Sequence, residues 1–191
     1  MNKKLYTQNY EVRRITLPNG SVREEIIYKG KYYCPQWTPK QKSATKVTCA
    51  LLVFASVALF VLVGLLNTAG SRQYYVLLPF FATSFPIVFE VFAIFRLLFS
   101  PDKMPIDIFH NSLLRLRKSA VAAFAFAAAG MAGEMIFLIR NPANYATGEL
   151  MFFLGVAGIF ADNFALFLLI RRIRHTVVPN TQADADEFLE T

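Results

Sequence analysis

The chain has 191 residues, 55% of them hydrophobic, a mean hydropathy of +0.39 and a formal net charge of +7. That apolar content exceeds the ~45–50% of an ordinary soluble domain and argues against one. A nucleic-acid-binding role would need the cations gathered on one polar face; here they flank apolar blocks instead, so no nucleic-acid partner is expected.

The first 44 residues are polar and carry β-type runs at residues 11–17 and 21–28, separated by Pro18, Asn19 and Gly20. Asn-Gly is a strong hairpin signal because both residues tolerate positive φ. A second turn at Lys29 and Gly30 leads into a third short strand ending at Tyr33. An isolated hairpin is marginal in water, so this piece is expected to lean on the membrane surface, another subunit or a cytoplasmic protein partner. Residues 34–48 read as a proline-broken connector, with Trp37 and three lysines anchoring the first span at headgroup level.

Four runs reach the roughly 18 apolar residues needed to cross a hydrocarbon core: residues 47–66, 75–99, 120–139 and 150–170. Runs this long and continuous are helices, since lipid leaves no other partner for the backbone. The predicted fold class is all-α integral membrane, a four-transmembrane-helix bundle with a small N-terminal cytoplasmic β-hairpin. Of the 20 Lys and Arg, only Arg72 and Arg140 fall in the loops after the first and third spans. The positive-inside rule then predicts a multi-pass protein of the plasma or inner membrane with both termini cytoplasmic. Its Lys/Arg rims should meet anionic lipid headgroups. No cleavable signal is visible ahead of the first span. Cys34 and Cys49 fall on or near the reducing side, where thiols stay free.

Three domains are expected: a cytoplasmic hairpin and connector over 1–44, the helical domain over 45–175, and a disordered acidic tail over 176–191. Tyr74, Tyr75 and Tyr145 should sit at the outer interface. In the middle loop, Asn111 or Ser112 is expected to cap the third helix. His110 has no second histidine or cysteine at ligand spacing, and neither a metal site nor a cofactor is expected. In the third span Ala125, Ala129 and Gly133 recur every fourth position, as do Ala128 and Ala132, which predicts a small-residue packing face on a central helix.

Shifting the second half of the chain onto the first by 72 positions aligns the first span with the third and the second with the fourth. Phe80 and Phe81 then meet Phe152 and Phe153, Ile87 meets Ile159, and Glu90 meets Asp162. Thr83 and Pro86 meet Gly155 and Gly158. A tandem two-helix repeat of this kind relates its copies by a pseudo-two-fold axis along the membrane normal.

Three acids lie within the spans: Glu90, Glu134 and Asp162. A charge at mid-helix costs roughly 2.5–3.5 kcal/mol on insertion scales, so each should face a partner or a cavity. Thr83, Pro86 and Glu90 share one helical stripe, and Pro86 cannot donate to the carbonyl of Ala82. In the other half Gly155 and Gly158 are expected to open space beside Asp162, with Asn163 as a neutral donor. The candidate binding site is therefore Glu90, Asp162, Thr83, Pro86, Gly158 and Asn163, taking a proton, a cation or a polar ligand between two carboxylates able to share a proton. Glu134 is a second, more external acid expected to reach toward Arg140. The competing structural reading gives the proline a kink, the glycines close packing and the acids a bond to a neighbouring helix.

No Gly-x-Ser-x-Gly, His-Glu-x-x-His or phosphate-cradling loop is present, so no enzymatic activity is expected. The expected function is a small transporter, channel or ion-coupled membrane subunit, homo-oligomeric or bound to another membrane subunit. The alternative is a non-catalytic scaffold or regulatory subunit that recruits a cytoplasmic partner. A lipid-handling role is the third.

Overall fold

The structure is a computed structural model, described over residues 9–16, 22–142 and 147–180. The chain divides into two units. Residues 37–99 and 111–173 form a helical unit; the segment ending at Gln36, the loop Ser100–His110 and the segment beginning at Arg174 form a second, polar unit.

In the helical unit, α1 spans Pro39–Gly64. Thr38 caps it through a reciprocal capping box with Gln41, and Pro39 supplies a pre-set φ at the first helical position. Pro39 of the expected connector thus begins the helix. A short 3₁₀ turn at Gly70–Arg72 leads to α2 (Tyr74–Ala82) and α3 (Ser84–Leu98), which together make one membrane-length element divided at Thr83. The sequence then runs through α4 (Ile106–Phe109), a wide π-type turn at His110–Leu114 and α5 (Arg115–Arg140). Asn111 and Ser112 lie inside this turn and not at a helix N-cap position, which Pro105 and Leu114 occupy. The helical run begins behind Pro105, whose fixed φ suits a helix entry. The last helix, α6, spans Thr147–Arg171. Among the described residues, four segments are long and apolar enough to cross a membrane: Lys40–Gly64, Tyr74–Leu98, Ile106–Arg140 and Thr147–Arg171.

Helix α1 packs on α3 and α6, and α5 packs on α2, α3 and α6. This leaves α2/α3 and α6 opposite one another, with α1 and α5 between them. A core of Val63, Val76, Phe80, Ala127, Phe152, Val156 and Ile159 fills the centre. The polarity of the bundle is inverted relative to a soluble protein: Phe81, Phe85, Phe89 and Phe92 are 51–62% exposed, whereas Glu90 and Glu134 are fully buried. Apolar side chains all round a helix suit a lipid surrounding.

The small residues of α5 pack on a different face from the expected one. Ala120, Ala123, Ala127, Gly130 and Gly133 are buried, whereas Ala125, Ala128, Ala129 and Ala132 are exposed. Strict four-residue spacing drifts around a helix of ~3.6 residues per turn, so alternating steps of three and four follow the buried face.

In the polar unit, β1 (Tyr10–Thr16) pairs antiparallel with β2 (Val22–Tyr28), in a register running from Tyr10 opposite Tyr28 to Thr16 opposite Val22. The connecting Pro18-Asn19-Gly20 turn lies outside the described residues. Opposed residues share a face, which places Val12 and Ile26 side by side with Arg14 and Glu24, whose side chains form an ion pair at 3.2 Å. Lys29 pairs with Glu11.

The third strand, β3 (Tyr32–Pro35), pairs with β4 (His175–Val178). The β-branched run Thr176, Val177 and Val178 within β4 falls at the start of the expected tail; the acidic residues Asp184, Asp186, Glu187 and Glu190, and Tyr145, expected at the outer interface, lie outside the described residues. Tyr33 also exchanges backbone hydrogen bonds with Met104 at 2.8 and 3.0 Å. The Tyr10 hydroxyl donates to Asp107 at 2.7 Å, and the Ile106 N–H donates to the Tyr28 oxygen at 3.0 Å. Rings of Tyr33, Phe109 and His175 stack within 5.9 Å of one another. Burial pushes the Tyr28 phenol above its ordinary value of 10.0.

Candidate functional site

The stripe Thr83, Pro86 and Glu90 is turned into the bundle: Thr83 is 1% exposed, Pro86 is buried and Glu90 is 0% exposed. The Thr83 hydroxyl donates to the Pro79 carbonyl at 3.0 Å, so its proton serves its own helix. Neither Glu90 carboxylate oxygen has a hydrogen-bond partner among the described residues. The carboxyl group interacts electrostatically with that of Asp162 on the facing helix α6.

Asp162 is partly buried and accepts a short hydrogen bond from the Ser56 hydroxyl of α1. Ser56 in turn accepts from the Asn163 amide at 2.9 Å, and the same amide donates to the Ile159 carbonyl at 3.0 Å. Donor is thus chained to donor: amide to hydroxyl, hydroxyl to carboxylate. The Asn163 carbonyl oxygen is buried and without a partner among the described residues. The centre is rich in acceptors and poor in donors. The acceptors there are the Glu90 and Asp162 carboxyl groups and the Asn163 amide oxygen, groups whose chemistry suits a proton or a cation.

Gly155 does something other than open space beside Asp162: a Cβ there would collide with the Val63 side chain, so the bare Cα brings α6 close against α1. A Cβ at Gly158 would lie 3.4 Å from Leu59, an ordinary contact. Ser56 of α1 reaches Asp162 and Asn163 across the same pair of helices.

The cations at this end of the bundle do not neutralise the acids through a hydrogen bond. The Arg115 guanidinium lies 5.9 Å from the Phe89 ring centroid and that of Arg117 5.7 Å from the Phe167 centroid, both on aromatic faces. Lys46, 8% exposed, donates to the Leu98 carbonyl at 3.1 Å.

One pair of residues 72 positions apart meets in the core: Phe80 and Phe152 approach to a ring-centroid distance of 5.5 Å. Glu90 and Asp162, also 72 apart, are near enough to interact electrostatically. Glu134 stands elsewhere. It is buried on α5 beside Glu149 of α6, with no hydrogen bond to Arg140, which is exposed.

Sequence reasoning passes over Ser56 and Glu149. The signal for Ser56 was available: it is the only hydroxyl between Thr48 and Asn67. Glu149 sits just before the fourth apolar run and reads as a flanking charge. Among the described residues, no group of three or more His, Cys, Asp or Glu is placed to hold a metal ion. Comparison of the chain with protein-family models, curated proteins and solved structures gave no match.

Proposed function

We propose that this chain is a multi-pass protein of the plasma or inner membrane that moves protons or small cations through an exchange site at Glu90 and Asp162. The observation that carries this reading is Glu90 itself. It is fully buried, both oxygens lack a hydrogen-bond partner among the described residues, and the Asp162 carboxyl group is near enough to act on it electrostatically. Ionised carboxylates held in this way are costly unless a cation accompanies them. Reversible binding of that cation is the step a transporter or ion-coupled subunit requires.

Two further readings belong with it. The first is topology: both termini and the middle loop are cytoplasmic, with Lys and Arg at anionic headgroups. It is supported by the gathering of the N-terminal segment, residues 100–110 and the C-terminal strand into one unit, because an even number of crossings returns each of them to the same side. Tyr74, 78% exposed at the start of α2, suits the opposite interface. Reporter fusions after Arg72 are expected to read external, and a cytoplasmic signal there refutes the topology. The second is a tandem two-helix repeat, supported by the two central pairs 72 residues apart.

Flux of protons or alkali-metal ions in proteoliposomes tests the main reading. Glu90→Gln and Asp162→Asn proteins that fold normally and transport at the wild-type rate would remove it. The scaffold reading is favoured by a different observation, the exposed Val12, Val22 and Ile26 on the hairpin, 58–62% accessible. Under that reading, deleting residues 1–33 costs a co-purifying protein partner while the helical unit survives; under the transport reading flux persists.

A further inference from the structure

A second acid pair lies at the other end of α6, roughly 20 Å from Asp162 at ~1.5 Å per residue. Glu149, in the first turn of α6, and Glu134, on α5, both bring their carboxyl groups to Gly70. Glu134 is 0% exposed and Glu149 3% exposed. Glu149 Oε1 accepts the Gly70 N–H at 3.1 Å. The other three oxygens, both of Glu134 and Oε2 of Glu149, have no hydrogen-bond partner among the described residues.

The surroundings are built to receive these carboxyl groups. A Cβ at Gly70 would lie 2.6 Å from both Glu134 oxygens, so a side chain there would displace the carboxyl group from its seat against the 3₁₀ turn. The turn is held by its own side chains: the Thr68 N–H donates to the Ser71 hydroxyl and the Ser71 N–H to the Thr68 hydroxyl, each at 3.1 Å. On the facing strand of helix, Gly133 packs on the Tyr75 carbonyl, to which Pro79 cannot donate because it has no N–H. The charged groups nearest in sequence turn away. Arg72 is exposed and donates to Asn67 at 3.0 Å, and Arg140 is exposed at the end of α5.

We propose that Glu134 and Glu149 form a second cation-binding site, which takes one small monovalent cation, a proton or an alkali-metal ion, between their carboxyl groups. Ionised carboxylates only accept, so two of them cannot satisfy each other. Buried polar atoms in folded proteins are almost always partnered. A proton shared by the pair joins one oxygen of each carboxyl group, and an alkali-metal ion between them can meet all three unpartnered oxygens. The Gly70 N–H adds one donor to Glu149 and ties the site to the turn over residues 67–73. Binding of the cation therefore also holds that turn against α5 and α6.

The test is thermal unfolding of the full-length protein in detergent, made in a Glu90→Gln, Asp162→Asn background that silences the central pair. Its outcome is then independent of the exchange site proposed above. Sodium or potassium chloride is titrated against choline chloride at constant ionic strength, and pH is varied separately. An alkali-metal ligand raises the midpoint by about 5 °C at saturating salt. A proton ligand gives no difference between sodium, potassium and choline, and a midpoint that rises by a similar amount on acidification. In either case the response is lost in Glu134→Gln and in Glu149→Gln, the second of which keeps an oxygen for the Gly70 N–H. A protein that responds to neither metal nor pH overturns the proposal, as do glutamine variants that respond like their parent.

Discussion

The two acid pairs share one helix, α6, and one chemistry, yet they are supported in different ways. Around Glu90 and Asp162 the support comes from side chains: Ser56 donates to Asp162 and Asn163 donates to Ser56. Around Glu134 and Glu149 it comes from backbone: the Gly70 N–H and the bare Cα that seats Glu134. The central pair also joins residues equivalent under the 72-position shift, whereas the outer pair has Leu62 and Leu77 at its equivalent positions. A side-chain network can be tuned one residue at a time. A backbone cradle depends on the absence of a side chain, and any substituent at Gly70 removes it.

The largest expected effect separates the pairs by function. Glu90→Gln with Asp162→Asn is expected to lower flux in proteoliposomes about a hundred-fold, the scale on which a positioned proton-transfer group acts. An equal loss in Glu134→Gln would join both pairs into one pathway. The next is structural. Gly70→Ala forces a methyl onto the Glu134 carboxylate and should destabilise by about 2 kcal/mol, an overpacking cost read as a drop in the thermal midpoint. Gly148→Ala is its control. There the added carbon meets Thr68 Cγ2 at 3.5 Å, an ordinary contact, and the helix gains up to ~1 kcal/mol in propensity. Equal behaviour of the two alanine variants would dissolve the cradle.

Ser56→Ala removes the donor to Asp162 and should cost about 1.5 kcal/mol, as for a hydrogen bond to a charged group. Ser56→Thr, which keeps the hydroxyl, is expected to recover most of it. The smallest effect lies in the polar unit. The raised phenol of Tyr28 means that the neutral form is favoured in the fold. Its contribution is whole below pH 10.0, the ordinary tyrosine value, and is lost as pH rises through the higher folded value. Tyr28→Phe should therefore remove phenolate absorbance that appears above that pH, while the helical unit is unaffected.

Legibility in the sequence followed the range of the physics. The inward face of Glu90 was readable because a charge toward lipid is costly wherever the rest of the protein sits. The start of α1 was misread for a local reason: Pro39 at a first helical position looks the same in a sequence as a helix-breaking proline. The capping box of Thr38 and Gln41 distinguishes the two. The role of Gly155 was not readable, because a glycine that opens space and one that admits a neighbouring helix are the same letter. Ser56 was visible as an isolated hydroxyl, but its partner 106 positions away was not.

What the sequence determined by itself is local. Four apolar runs, the distribution of lysine and arginine, and the burial of acids follow from transfer free energies that depend on each residue and its neighbours along the chain. What only the tertiary structure decided is pairing. It set β3 against a strand from the far end of the chain, chained Asn163 through Ser56 to Asp162, and brought Glu149 to Glu134 over a bare glycine. Those pairings depend on which helix faces lie opposite one another, and side-chain packing across the bundle settles that.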